Sequence, residues 1–214
     1  MSESFAFVPE IERLAPELGL SLHAGEMERL GAYLGEVERW NASTNLTGNL
    51  TPPELVRHAL ESVLGAPLFG ESREIVDIGS GGGFPGVPLA IMGLRVALLE
   101  PRERRAAFLR HVVRVLSLLN ARVVVDRVEK LPAGSFSAAS IRAVGDLGGL
   151  LGRGEFLETE GSLGIWTTSA ERLARELSAG FRLERRIAIP GSERREIALF
   201  RKCSPGNTPP ASAS

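Results

Sequence analysis

The sequence predicts an α/β protein: a mostly parallel, seven-stranded sheet with an antiparallel last strand, preceded by an N-terminal helical extension. Three observations predict it. Residues 75–88, Ile-Val-Asp-Ile-Gly-Ser-Gly-Gly-Gly-Phe-Pro-Gly-Val-Pro, read as a strand running into a glycine turn that opens a helix. From Glu74 onward, apolar runs of strand length alternate with helical stretches, the pattern of a parallel sheet covered by helices. Near the end, two such runs flank Pro190-Gly191-Ser192 with no room for a helix between them, so their pairing is a hairpin.

Each element follows from local pattern. Residues 10–18 form a short helix closed by Gly19. Residues 22–40 form a longer one, because Leu30, Tyr33, Leu34, Val37 and Trp40 recur at three- and four-residue steps and make a single apolar stripe that packs on the main domain. Asn41–Thr51, rich in Asn, Ser and Thr, reads as a loop. Pro53 opens a third helix carrying Leu55, Val56, Ala59, Leu60, Val63 and Leu64. Candidate strands are 74–78, 95–99, 121–125, 138–142, 162–167, 181–189 and 195–201. A helix over 102–119 turns Ala106, Leu109, Val112, Val113 and Leu116 inward. The chain thus divides into a helical segment (1–70), an α/β domain (71–202) and a low-complexity tail (203–214) expected to be disordered.

Bulk properties narrow the function classes. The chain has 214 residues, 43% hydrophobic and 24% charged, with a formal net charge of −1, ordinary for a soluble globule. That balance neither demands nor forbids a nucleic-acid partner. Cys203 is the one cysteine, so neither a disulfide within the chain nor a cysteine-based metal site is expected. The N-terminus lacks a basic region followed by an apolar stretch, and no run approaches the length of a membrane span. A reduced cytoplasm is the expected location, and no coiled-coil pattern suggests more than a monomer.

The glycine turn carries the chemistry. Glycines stand at 79, 81 and 83, and the next apolar run, Val96–Leu99, ends in Glu100. Without a Cβ, the backbone turns sharply and lets a ligand approach. An acid at the second strand end can accept hydrogen bonds from two ribose hydroxyls. A dinucleotide fingerprint fits poorly. Started at Gly79, Phe84 stands in the third glycine position; started at Gly81, Pro85 and Pro88 fall in the helix opening, where a pyrophosphate needs free N–H groups. The turn suits S-adenosylmethionine, which has no phosphates, so the expected fold is a Rossmann-like class I methyltransferase. A dinucleotide site and a merely structural turn are the alternatives.

Four blocks give the chain a more specific resemblance. They are Trp40-Asn41 with Asn45-Leu46-Thr47 and Val56-Arg57-His58; the stretch Asp77–Pro88; Arg105-Ala-Ala-Phe-Leu-Arg110; and Arg127-Val-Glu129 with Arg142-Ala143. Together, over about residues 20–202, the chain resembles the bacterial small-subunit ribosomal RNA methyltransferase G family, also called glucose-inhibited division protein B. The resemblance implies transfer of a methyl group from S-adenosylmethionine to N7 of one guanine in small-subunit (16S) ribosomal RNA, free or in an assembling particle. Carried over, Gly79, Gly81, Gly83 and Phe84 surround the methionine part of the donor. Glu100 takes the ribose, Val128 and Glu129 flank the adenine, and Arg142 stands beside the transfer site as a positioning group.

Arg57, His58, Arg104, Arg105 and Arg110 are the candidate RNA contacts; a solvated helix face and a packed histidine are their plainer readings. The chain departs from the family pattern at Ser137, at Thr167-Thr168 and in the glycine-rich stretch 145–154, all three expected on the substrate side. A small-molecule methyltransferase, a non-catalytic donor- or RNA-binding relative and a dinucleotide-dependent oxidoreductase are the competing functions.

Overall fold

A computed structural model describes residues 6–70, 72–142, 147, 151 and 154–204. The helical segment comprises α1 (Val8–Leu14), α2 (Ala24–Thr44) and α3 (Pro52–Leu64). The α/β part follows as β1 (Ile75–Ile78), α4 (Gly86–Ile91), β2 (Val96–Leu99), α5 (Glu103–Val115), β3 (Ala121–Val124), β4 (Phe136–Arg142), β5 (Leu157–Thr167), α6 (Ala170–Glu176), β6 (Phe181–Ala188) and β7 (Glu196–Lys202). Among the described residues seven strands make one sheet, in the order β3-β2-β1-β4-β5-β7-β6.

Strands β1 to β5 are parallel; β7 lies antiparallel between β5 and β6. The hairpin around Pro190-Gly191-Ser192 is therefore present, and it inserts its second strand inside the sheet. Because β6 runs with β5, the turn from β6 to β7 arrives at the same edge of the sheet as the ends of β4 and β5.

Strand alternation divides the core. On β2, Val96 and Leu98 pack with the N-terminal helices, α4 and α5, while Ala97 and Leu99 face the opposite layer with α6, Leu147 and Leu151. The stripe on α2 is buried at Leu30, Tyr33, Leu34 and Val37, with Trp40 packed at its margin against Phe108 of α5. The helical segment thus shares one core with the sheet. Among the described residues no helix is long and apolar enough to cross a membrane.

Element boundaries differ from the sequence reading for local reasons. The helix expected over 10–18 is an α-helix to Leu14 and a 3-10 turn over Pro16–Leu18, since Pro16 cannot continue the hydrogen-bond ladder. Helix α2 runs on to Thr44 and stops at Asn45, which takes the left-handed conformation (φ 49°). Strands β4 and β5 begin earlier than expected, pairing Phe136 with Leu157 before an irregularity at Ser137. The polar run Glu158–Gly161 hides that pairing. Helix α6 was not separated in the sequence reading. Ala143, most of the glycine-rich stretch and tail residues 205–214 lie outside the described residues.

Helix α4 sits close on the sheet because residue 86 has no side chain. A Cβ there would lie 2.4 Å from Leu98 Cδ2 and 2.6 Å from Asp77 Oδ2. Gly86→Ala is expected to cost about 1–3 kcal/mol through overpacking against β1 and β2, measured as a lower denaturation midpoint with an unchanged m-value.

Candidate active site

Three cavities line the edge where the parallel strands end, the usual ligand edge of such a sheet. One of about 410 Å³ lies beyond β2 and β3, lined by Ile78, Gly79, Leu99, Arg102, Asp126, Val128 and Glu129. A second, about 290 Å³, lies over the glycine turn and is lined by Thr47, Gly79, Gly81, Phe84 and Arg105. The third, about 330 Å³, lies beyond β4 and β5 between Ile165, Thr167, Ile189 and Arg195. Gly79 borders the first and second. His58 and Arg142 border the second and third.

The turn is built on Asp77. This carboxylate is buried and accepts the Ser140 hydroxyl at 2.8 Å from its in-register neighbour on β4. Burial raises its pKa to about 6, against the opposing pull of hydrogen bonds from Ser140, Ser80 and the Gly86 backbone. Its Oδ2 lies against Gly86 without a partner of ordinary hydrogen-bond geometry.

The three glycines serve different needs. Gly79 and Gly81 (φ 70° and 52°) border the cavities. Gly83 faces the core instead: a Cβ there would lie 2.7 Å from Val87 and 2.9 Å from the Tyr33 hydroxyl. The absent side chain at Gly83 thus serves packing of α2 and α4 against the turn. The Tyr33 hydroxyl donates to the Gly82 carbonyl at 2.6 Å and ties α2 to the turn.

The turn also spends its own N–H groups. Gly83 N–H donates to Ser80 O and Val87 N–H to Gly83 O, while Pro85 and Pro88 have none. That is a poor pyrophosphate cradle.

Glu100 is buried behind Gly81. Its two oxygens accept the Gly81 and Arg102 N–H groups at 3.0 and 2.9 Å. Each oxygen keeps a second lone pair, so the same carboxylate can clasp the turn and accept hydroxyls. Val128 is buried and Glu129 exposed at the rim of the first cavity.

A short roof covers the turn. Asn41 accepts the Leu46 and Thr47 N–H groups and donates to Gly48 O, shaping the loop after α2. Leu46 and Thr47 lie over Gly82. Arg105 crosses the cavity mouth and donates to Asn45 O at 3.1 Å. The arginines grouped on α5 by sequence therefore separate. Arg105 lines the cavity over the glycine turn, Arg110 is paired with Glu103, and Arg104 is exposed.

The wall between the second and third cavities rests on a residue the sequence reading missed. Glu61 of α3 is fully buried and binds three arginines: Arg57 at 3.1 Å, Arg142 at 2.7 Å and Arg195 at 2.7 Å. Arg142 also donates to His58 O, and Arg57 to Pro190 O. Arg57 is thus a brace between α3 and the β6–β7 turn, which corrects its reading as a free RNA contact. Arg142 lines the second and third cavities with its guanidinium anchored on α3. His58 packs edge-on against Phe84. Burial, then Arg142 and Arg195, lower its pKa to about 4, so it is neutral at pH 7. Only a spacing cue, a glutamate four residues after Arg57 on an apolar helix, hinted at Glu61.

The departures also separate. Thr167 and Thr168 do border the third cavity. Ser137 does not: it sits at the start of β4, at the opposite edge of the sheet, where its hydroxyl accepts the Arg73 and Glu74 N–H groups. Its expected place on the substrate side is corrected.

A family model described as rRNA small subunit methyltransferase G matches residues 26–162. The chain belongs to that family. It is 34% identical over 211 residues to the ribosomal RNA small subunit methyltransferase G of Roseiflexus sp. (strain RS-1), covering 87% of this chain and 88% of the relative. It is 35% identical to the enzyme of the same name from Pseudomonas aeruginosa (strain UCBPP-PA14), covering 91% and 95%. Solved structures support the fold. The 1,6-didemethyltoxoflavin-N1-methyltransferase of Burkholderia thailandensis aligns with a TM-score of 0.58 at 16% identity, over 86% of this chain and 92% of that one. A ribosomal protein L11 methylase from Lactobacillus delbrueckii subsp. bulgaricus also reaches 0.58, at 11% identity, over 70% and 80%. The blocks that carry the resemblance fall partly on the roof (Asn41, Leu46, Thr47), the turn and the α3 wall.

Two predictions follow from these contacts. Glu61→Ala leaves three cations around a missing carboxylate and is expected to cost about 3–5 kcal/mol, read from denaturant unfolding; a loss under 1 kcal/mol would deny the hub.

The pH dependence of stability separates His58 from Asp77. His58, with its folded pKa depressed from 6.5 to about 4, contributes stability that is lost as pH falls from 6.5 toward 4. Asp77, with its folded pKa raised from 3.8 to about 6, contributes stability that is lost as pH rises from 4 toward 6. Relative to the parent, Asp77→Asn should gain stability with rising pH across that window. His58→Gln should lose it, each by up to about 3 kcal/mol.

Proposed function

We propose that this chain is an S-adenosylmethionine-dependent methyltransferase that modifies N7 of one guanine in small-subunit ribosomal RNA. One observation supports the reading beyond family membership: the cavity over the glycine turn and the cavity at the ends of β4 and β5 adjoin, sharing His58 and Arg142 as their common wall.

The residues present fit the donor. Gly79 and Gly81 leave the cavity free of side chains, Phe84 supplies an apolar contact, and Glu100 offers oxygens to a ribose. Val128 and Glu129 border the cavity suited to adenine. When bound, the donor supplies an electrophilic sulfonium methyl: the N7 lone pair forms the C–N bond as the C–S bond breaks with its electron pair on sulfur, and no proton moves. The protein's task is therefore placement and exclusion of water. Phe84 and the roof of Leu46 and Thr47 cover the junction. Neutral His58 adds no charge beside a base that becomes cationic. Arg142, fixed by Glu61, sets one wall.

RNA approaches from the side of His58, Arg172 and Arg195, with the exposed Arg104 and Arg110 of α5 as candidates for phosphate contacts. We take the chain to act as a cytoplasmic monomer on free or assembling ribosomal RNA. The helical segment 1–70 and the domain 71–202 then work as one unit, with the segment supplying the donor's roof.

Mapping N7-methylguanines in small-subunit RNA from cells with and without the gene tests the reading. One guanine should lose its methyl group, and an identical pattern would refute it. Glu100→Ala should weaken donor binding by about 1.5–3 kcal/mol in calorimetry while the fold persists; unaltered affinity would remove Glu100 from the site. The single-turnover rate should show no essential ionisation between pH 6.5 and 9, and His58→Ala should retain transfer. Loss of transfer restored by added imidazole would mean that a proton moves, and would exclude N7 as the target.

A further inference from the structure

The third cavity has a composition that chooses among bases. Its sides are apolar, with Ile141 and Ile165 at the strand ends and Ile189 on the β6–β7 turn. Its charged lining is mostly cationic, with Arg142, Arg172 and Arg195. Glu61 is the one carboxylate among the described lining residues, and three guanidinium groups surround it, Arg57 and Arg195 on Oε1 and Arg142 on Oε2. Thr167 and Thr168 stand at the rim beside the partly exposed Arg172.

A base whose N7 meets a donor sunk under the glycine turn must leave its stack. In a buried slot its polar edge needs matching partners. Beside N7, guanine carries the O6 acceptor, whereas adenine carries the N6 amino donor. A slot whose charged groups are mostly guanidinium donors, three of them drawn to its one carboxylate, favours the O6 acceptor over an amino donor. Arg142 is braced on the α3 backbone. Arg195, on the turn, has the more exposed side chain and reaches the slot from the opposite wall.

We propose that this cavity receives the target guanine flipped out of its RNA loop, with Arg195 donating to O6 and thereby acting as the residue that selects guanine over other purines. Thr167 and Thr168 form the rim through which the base enters. The inference rests on the function proposed above, and names where its substrate binds and what reads it.

The test uses the full chain and small-subunit RNA carrying either guanine or 2-aminopurine at the mapped position. 2-Aminopurine keeps N7, lacks O6, and fluoresces when unstacked. With S-adenosylhomocysteine present, so that no transfer occurs, wild-type protein should raise 2-aminopurine fluorescence severalfold. Tight RNA binding with no rise would overturn the flipped base. In single-turnover transfer, the wild type should favour guanine over 2-aminopurine by roughly tenfold or more. Arg195→Met should erase that preference by slowing guanine alone, and Arg195→Lys should restore part of it. A preference unchanged in Arg195→Met would overturn the assignment of Arg195.

Should Arg195→Met fail to fold, Thr168→Trp at the exposed rim decides the cavity. It should keep donor affinity in calorimetry and lose both the fluorescence rise and transfer, and retained transfer would overturn the proposal. A wild-type protein that methylates no guanine in this RNA would instead sink the function itself, and this inference with it.

Discussion

The site depends on one buried carboxylate. Glu61 holds Arg142 from the sheet, Arg195 from the β6–β7 turn and Arg57 from its own helix, and its backbone carbonyl accepts the Trp166 indole N–H at 2.7 Å. Three chain segments far apart in sequence meet on two oxygens. Such a cluster is weak evidence for extra stability, because each charge loses its hydration. Its value lies in position: α3 can dock on the strand ends in one register, and that register places His58 between two cavities. A hydrophobic contact of equal area would hold the helix without fixing its rotation so closely.

A second constraint is space around the glycine turn. Helix α4, the Tyr33 hydroxyl, the Asn45–Thr47 roof and the Glu100 carboxylate all approach the same few residues. The absence of side chains there serves two ends at once. Some positions keep a cavity open, and others let the surrounding layers close. Gly83 and Gly86 belong to the second kind, and the spacing pattern by itself does not distinguish them from Gly79 and Gly81.

Much of this was legible in the chain. Alternating apolar runs gave the sheet, since strands buried on both faces leave a strong signal. The stripe on α2 and the proline-opened α3 were equally plain. What escaped was long-range pairing. The link between Glu61 and Arg195 spans 134 residues, and no local period records it. The arginines of α5 look alike in sequence, yet helix geometry turns Arg105 to the donor cavity and Arg104 to solvent. Ser137 looked substrate-facing from its place before a strand; parallel strands put their beginnings at the far edge from the site. Thr167, at the end of its strand, stands at the cavity-lined edge for the same reason.

The direction of β7 has a consequence for how this fold can change. Inserting it antiparallel between β5 and β6 lets a tight turn, and not a crossover helix, form one bank of the third cavity. Where it does not carry the Arg195 and Pro190 contacts to α3, such a turn can be changed without disturbing the layers around the glycine turn. The donor machinery, by contrast, is tied into α2, α4 and β1 through close backbone contacts that tolerate little. Selection could therefore retune which molecule receives the methyl group through the residues of this turn other than Pro190 and Arg195, leaving the contacts around the glycine turn in place.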